Sequence, residues 1–559
     1  MNKILQIFLL AISTQSLFAQ STTPIYINEF MASNASVIAD STGEFEDWIE
    51  LYNALSTPVD ISGYFLSDDP NNLQKYEIPQ NISILGGGFI LFWASGESSR
   101  GDLHTNFRLS ASQGEYIFLT APNGTHIIDS IDFKSQTTDV SYGRYPNGSN
   151  SWAYFKTPTP NASNNTASPY TMVLNPPEFS HTGGFISSGF SLNITAPDSG
   201  VTIYYTLDGS EPHPNRVTPH TYTYKNQYQQ FANSQTGPQL NDSIQSYAYN
   251  GAISIVDRNS EPNRTSSKSS TFEFNPPYLP TNPIRKGTVV RAIATRADAI
   301  SSEIVTETFF VGPSITNHYS LPVVSLSIDE NLLFDLDDGI YCAGADFENW
   351  RSNTSDGPRG NSPANWGRSG RAYEYPMGFE YFDSQGNKEI SQLVGARIHG
   401  GFSRARRRKS LRLYARSEYG KSEFQYPLFS NRTDSVYKRV LLRNSGNDEP
   451  NTSFRDAFIQ NLVKHLNFEI QQSEAAIVFI NGEYWGIHNF REWQNRHYIE
   501  RLYGVQSHEL DFIAERMDVQ DGDSLHFTQL LNYVSSNDLS EDSVFSEIET
   551  QMDVENFGE

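Results

Sequence analysis

Short apolar runs, broken every few residues by Gly, Asn or Pro, fill the first third of the chain and commit it to sheet. Ile25-Tyr-Ile27, Trp48-Ile-Glu-Leu-Tyr52, Phe89-Ile-Leu-Phe-Trp93 and Tyr116-Ile-Phe-Leu119 recur between turn residues. Strands this short and this regularly punctuated predict an antiparallel sandwich. The 38 Gly and 28 Pro supply the turns, and the 13% aromatic content, mostly Tyr and Phe, suits pleated packing. A chain of 559 residues is long enough for three or four such domains.

The N-terminus reads as a secretory signal over 1–20. Lys3 gives the positive start, Ile4 to Ile12 the apolar run, and Ala19-Gln20 a cleavage region. That run is too short to span a bilayer, and no later stretch is apolar for long enough. The chain is therefore expected to be secreted or held at the cell surface. Its one cysteine, Cys342, excludes an intramolecular disulfide, so the domains hold together by packing. In Gly339-Ile-Tyr-Cys-Ala343 it reads as a small core residue, with a reactive thiol as the alternative. A formal net charge of −24 argues against general nucleic-acid binding, which needs a basic footprint.

Residues 21–165 form the first unit. Ile27-Asn-Glu-Phe30, Asp47-Trp-Ile-Glu-Leu-Tyr-Asn53, Gly63-Tyr-Phe-Leu-Ser-Asp68, Gly143-Arg-Tyr-Pro-Asn-Gly148 and Pro158-Thr-Pro160 resemble the lamin-tail domain. The resemblance implies an immunoglobulin-like binding or spacer module. Asn28, Glu29 and Asp47 are its ligand candidates; turn and strand-edge chemistry explains them equally simply. Residues 172–312 form the second unit. Val201-Thr-Ile-Tyr-Tyr-Thr-Leu-Asp-Gly-Ser-Glu-Pro212 alternates and ends in an Asp-Gly turn, and Gly287-Thr-Val-Val-Arg-Ala-Ile-Ala294 is a second strand. The pair resembles the small sandwich at the C-terminus of chitobiases and β-hexosaminidases, a module that does not itself cleave sugar. Asp208 and Glu211 share one turn and cannot flank a glycosidic bond. The polar stretches 213–246 and 258–271 read as surface loops.

A third unit spans 320–559, with mixed helix and strand. Leu321-Pro-Val-Val-Ser-Leu-Ser327 alternates as a strand, and a short helix begins near Asp329. With period two, Lys409, Leu411 and Leu413 share one face, opposite Arg406, Arg408, Ser410 and Arg412. An inward lysine requires an anion or a carboxylate, since an unpaired buried charge is costly. A phosphate behind the glycine turn, a structural ion pair and a side chain that reaches past the strand edge all satisfy that need. The basic run Arg404 to Lys409 faces phosphate, an acidic partner or solvent. Ser453 and Asp456 predict a helix cap, with Phe458, Leu462 and Leu466 on one apolar face. Asn481-Gly482 between apolar runs predicts a hairpin whose second strand ends at Arg491-Glu492. Asp335 to Gly339 and Asp518 to Asp523 fail the spacing of a calcium loop, and His508-Glu509 lacks the second histidine of a zinc-protease helix.

Taken as a set, Leu321 to Leu326, Gly339-Ile-Tyr341, Gly395-x-Arg-x-His-Gly-Gly401, Lys409-Ser-Leu-Arg-Leu413, Leu442-Arg-Asn-Ser-Gly-Asn-Asp448, Arg455-Asp456 and Asn481-Gly-Glu-Tyr-Trp-Gly486 with Glu492 resemble the CotH kinase family. The resemblance implies an atypical kinase fold that uses ATP and Mg and phosphorylates a protein. Lys409 falls on the nucleotide-contacting lysine; Glu492, His399 and Arg404 complete the implied cofactor-binding set. The family's metal-binding and catalytic aspartates lie downstream of the segment that resembles Asp553 to Phe557, so no catalytic residue is assigned. The expectation is thus a multidomain, mainly β chain: two immunoglobulin-like β-sandwiches, then an α+β kinase-like domain truncated at its C-terminal part. The alternative is a non-catalytic surface protein that binds a glycan or mediates adhesion.

Overall fold

The computed structural model describes residues 24–558, apart from 113, 314, 316–317, 506–508 and 515–516. The signal segment 1–20 and His508 lie outside the described residues. Two compact units emerge, one ending at Tyr170 and one running from Thr171 onward.

The first unit is a two-sheet sandwich. One sheet has the order Trp152–Phe155, Ser141–Arg144, Ile25–Met31, Trp48–Asn53, Phe89–Trp93; the other pairs Tyr76–Glu77, Phe65–Ser67, Glu115–Thr120 and Ile127–Phe133. Alternation explains the core. Ile25, Ile27, Ile49 and Leu51 point from the first sheet toward Leu66, Ile117, Leu119 and Phe133 of the second.

The second unit joins two architectures. Gly184–Ile186, Val305–Val311, Thr288–Thr295, Thr202–Thr206 and Tyr247–Ala248 form a five-stranded sheet, packed through Val290, Ala292 and Phe309 onto Leu192 and Ile194. Beyond it lie seven strands: β1 (Val323–Ser327), β2 (Tyr375–Phe382), β3 (Lys388–His399), β4 (Ser410–Tyr414), β5 (Arg439–Arg443), β6 (Ser473–Ile480) and β7 (Glu483–Glu492). They close into a barrel in the order β1-β2-β3-β4-β5-β7-β6, with β6 returning parallel to β1 and every other pair antiparallel. The strands of the expected α+β domain thus make a closed sheet, with helices inserted between strands and others after the last one. Leu411, Leu413, Val440, Leu442, Phe379 and Phe490 fill its interior, so the barrel is a packed core and not a channel.

The β6–β7 hairpin matches its prediction. Asn481 and Gly482 take φ of 51° and 79°, the left-handed pair that a two-residue turn needs. At Gly482 a Cβ would collide with the carbonyl of Gly287 in the neighbouring sandwich.

Two expectations are corrected. The stretches 213–246 and 258–271 are surface only in part: 217–221 and 231–233 are exposed, but other portions enter the core. The hairpin His220–Tyr224/Leu240–Ile244 inserts Tyr222 and Ile244 into the barrel's own core cluster. Tyr228 packs with Phe347, Ala364 and Trp366, and Thr265, Lys268, Ser269, Ser270 and Thr271 are buried. Their polar composition is absorbed by hydrogen bonds and ion pairs. Lys268 bonds Asp242 at 2.7 Å, and Tyr222 donates to Glu330 at 2.8 Å. The capping of the 455–462 helix also differs. With α1 (Glu330–Phe334) and α2 (Gly344–Ser352) before it, this is α3 (Arg455–Leu462). Ser453 makes no cap bond; the Asp448 carboxylate accepts from Phe454 N at 3.2 Å and Arg455 N at 3.0 Å. The apolar face of α3 stays exposed at Phe454, Phe458, Ile459 and Leu462. After α4 (Arg496–Tyr503), the segment to 558 carries two longer helices and a short one, with Leu525, Leu531 and Phe557 exposed.

Candidate functional site

The register of β3, β4 and β5 decides which of the four sequence-predicted contacts can meet. His399 pairs with Ser410, and Tyr414 pairs with Arg439, whose neighbour Val440 pairs with Glu492. His399 and Lys409 therefore sit at one end of the barrel and Glu492 at the other, about four residues or ~13 Å along the strands. Arg404 joins the His399 end.

Lys409 is fully buried at the barrel mouth, as its alternation with Leu411 and Leu413 requires. Among the described residues it forms no ion pair with a carboxylate. Its ammonium donates to the carbonyls of Arg404 (2.6 Å), Ser270 (2.8 Å) and Arg406 (3.2 Å). The faces of Trp366 and Tyr341 lie 4.2 and 5.2 Å from the nitrogen. Three carbonyl dipoles and two ring faces do the work that the sequence argument reserved for an anion. Burial pulls its pKa down to about 7.

Glu492 is buried as well. Its carboxylate takes Arg501 at 2.6 Å and Arg432 at 3.1 Å, and accepts from Gln472 N at 3.1 Å. Burial raises its pKa against the pull of Arg432. It borders a cavity of about 200 Å³ walled by Val436, Tyr437, Arg439, Trp493 and Tyr498.

Between these ends, on the barrel's outer face, lies a strip of arginines that the sequence reading did not assemble. Strand alternation sends Leu411 and Leu413 inward and hence Arg412 and Tyr414 outward. Arg397 and Arg416 lie over the Tyr414 ring at 4.8 and 4.7 Å, and both pair with Glu374. Arg439 spans Tyr414 and Trp493. Arg412 stacks on Trp493 at 4.4 Å and donates from Nε to His399 Nδ1 at 2.8 Å. That bond leaves the hydrogen of neutral His399 on Nε2. Burial, then Arg412, Arg443 and Arg404, pushes the His399 pKa down to about 3. Arg404 donates to the carbonyls of Trp366 and Arg368 at 2.9 and 3.1 Å; burial and the nearby Arg412 lower its own pKa.

Besides Glu374, this face carries the carboxylate of Asp456 of α3, held between Arg443 (3.2 Å) and the buried Arg491. Arg404 and Arg412 thus crowd a neutral histidine and, among the described residues, form no ion pair with a carboxylate, within a chain of net charge −24. Such a cluster repels itself and gains from an anion. It does not offer a Mg²⁺ site: Asp456 is already bound twice, and no group of three His, Cys, Asp or Glu that could hold a metal occurs among the described residues.

In the first unit Asn28, Glu29 and Glu50 are fully buried. Glu29 accepts from Thr159 N at 3.0 Å, Glu50 from Asn161 N at 2.6 Å, and Asn28 bridges Glu50 (3.1 Å) and Asn164 (3.3 Å). The knot ties residues 159–164 to the sheet and is filled by its own side chains. Asp47 is half-buried, and desolvation raises its pKa to about 7.

Three known families match parts of the chain. Residues 396–558 match the family described as CotH kinase protein, residues 19–135 the Lamin Tail Domain, and residues 192–309 the family described as Fn3 associated. The CotH match begins inside β3 and takes in β4, β5, α3 and the β6–β7 hairpin. No curated protein matches the chain. Among the described residues no helix is long and apolar enough to cross a membrane.

Proposed function

We propose, with the CotH-type match of residues 396–558 as premise, that the second unit binds ATP on the outer face of its barrel, in an exported protein that directs phosphoryl transfer to another protein. The observation that carries this is Arg412 donating from Nε to His399 Nδ1 at 2.8 Å, with Arg443 and Arg404 adding to the positive field at that ring. The triphosphate lies along Arg412, His399 Nε2 and Arg443, and the base reaches the aromatic cavity at Tyr437 and Trp493. Trp493 and Arg439 belong to both the cavity and the strip, and the ~13 Å between the ends suits an extended nucleotide.

In this reading the chain's own residues bind, orient and neutralise charge. Fixed guanidiniums on a partly dry face favour the charge that spreads over phosphoryl oxygens during transfer. Neutral His399 donates without competing for a proton. The magnesium that the family implies finds no free carboxylate on this face, and no step is derived through it.

The test is thermal unfolding of the full chain with and without millimolar ATP. A bound nucleotide raises the transition of the second unit by mass action. In Arg412→Glu the shift disappears. A wild-type chain whose melting ignores ATP returns the protein to the alternative, a surface module for adhesion or glycan binding.

A further inference from the structure

Lys409 is the residue that kinase resemblance would send to the phosphates, yet its surroundings leave it no free hydrogen. An ammonium has three N–H groups. The Lys409 ammonium has three carbonyl acceptors, from Ser270, Arg404 and Arg406. Trp366 and Tyr341 close its remaining sides, and the residue is 0% exposed. Its backbone is fixed too: its N–H donates to Tyr341 Oη at 2.8 Å, and His488 Nε2 lies 3.2 Å from its carbonyl.

Two of the three acceptors belong to the turn that carries Arg404. That turn, Phe402–Ala405 with Arg406 as its C-cap, lies outside the barrel's strand ladders, and the carbonyls of Arg404 and Arg406 point inward. The third acceptor comes from the second module. Ser270 also donates from Oγ to the carbonyl of Arg407 at 2.7 Å, and its own N–H is held by Tyr278 Oη at 2.9 Å. Arg404 is thereby fixed at its main chain by Lys409 and at its guanidinium by the carbonyls of Trp366 and Arg368.

We infer that Lys409 is a positioning residue of the anion strip: it clamps the Arg404–Arg408 turn to Ser270 of the neighbouring module and sets Arg404 beside His399 without touching the phosphates. The inference rests on the nucleotide reading above. It makes the 264–278 stretch of the second module a structural part of the site.

The experiment uses the full wild-type chain and an acyl-phosphate derivative of ATP. Such a probe passes its acyl group to an amine that lies at the phosphates, with ATP leaving. At saturating probe, mass spectrometry of the peptides is expected to find Lys409 unmodified. ATP-protected acylation of Lys409 overturns the inference alone. Absence of any ATP binding by the wild-type chain overturns the nucleotide reading, and the inference with it. A second arm compares Lys409→Met with wild type. ATP and tripolyphosphate are expected to lose about tenfold in affinity or more, while adenosine, seated at the far end, loses none. Equal losses for all three, or none, refute a positioning role. Should the variant fail to fold, the labelling result decides alone.

Discussion

Glu330 is the most demanding point in the joint between the second module and the barrel, and its replacement gives a quantitative test of that joint. The side chain is 2% exposed and serves three donors. Tyr222 donates to it at 2.8 Å, and Arg264 and Lys268 approach to 3.1 and 3.3 Å. Tyr222, Arg264 and Lys268 all come from the inserted stretches, whereas Glu330 opens α1 of the barrel. Burial works against a charged Arg264, but Glu330, Asp208 and Asp242 together raise its pKa.

Glu330→Gln keeps the shape and an acceptor for Tyr222, and removes the charge. Breaking a buried pair from one side costs about 3–5 kcal/mol, because the other charge stays buried. Asp242 remains against Lys268 at 2.7 Å, so the lower end, about 3 kcal/mol, is expected. Denaturant unfolding of the full chain, followed by fluorescence, reads it. The second unit should unfold in one transition, shifted by that amount, and the transition of the first unit should not move. Asp132→Asn in the first unit, which breaks an exposed pair with Lys134, sets the control within about 1 kcal/mol. A Glu330→Gln loss below about 1 kcal/mol, or separate transitions for sandwich and barrel, would refute the claim that they form one folding unit.

Two further outcomes follow from the shifted groups. In Arg412→Gln the His399 pKa should rise from about 3 yet stay below 6.5, because burial remains the larger cause; histidine-labelled NMR titration reads it, and an unmoved value contradicts the strip's geometry. In the first unit, burial and then Glu29 raise the Glu50 pKa to about 9 from 4.5. The folded state therefore holds a proton that the unfolded state has released across that window, so stability is full below pH 4.5 and falls as pH rises through 9. The melting temperature of the first unit should drop between pH 5 and pH 9, and Glu50→Gln should flatten that slope.

Alternation and turn chemistry made much of the barrel legible. Asn481-Gly482 predicted the β6–β7 hairpin, and the Lys409, Leu411, Leu413 period predicted which face turns inward. What alternation cannot supply is the partner across space. The Lys409 argument offered a phosphate, an ion pair or a side chain reaching past the strand edge, but carbonyls from Ser270, Arg404 and Arg406 converge on it from segments up to 139 residues apart. The stretches 213–246 and 258–271 looked like surface because they are polar; their Lys268, Arg264 and Tyr222 meet charges contributed by the barrel, which composition does not reveal. The anion strip was partly legible, since His399 and Arg404 were both singled out. Arg412, Arg443 and Trp493 enter only through register: β4 brings Arg412 beside His399, and the residue after β7 lays Trp493 against Arg412. Asp448 as the cap of α3 had no local signal, because it reaches the helix from six residues upstream.

The barrel mouth shows why a lysine is placed where a leucine would pack. A closed sheet satisfies its backbone through neighbouring strands, but the turn between β3 and β4 leaves the ladder, and its carbonyls face inward. Leaving one buried carbonyl unpaired costs about 1–3 kcal/mol, and here three converge. A single cation satisfies all of them, and the lysine stem fills the space between Trp366 and Tyr341. One of the three carbonyls belongs to the second module, so the solution works only when that module is docked. The same contact that closes the core then fixes Arg404, and the anion strip inherits its geometry from a residue in the neighbouring sandwich module. The strip should therefore weaken whenever the 264–278 stretch is displaced, even though none of its own side chains has been changed.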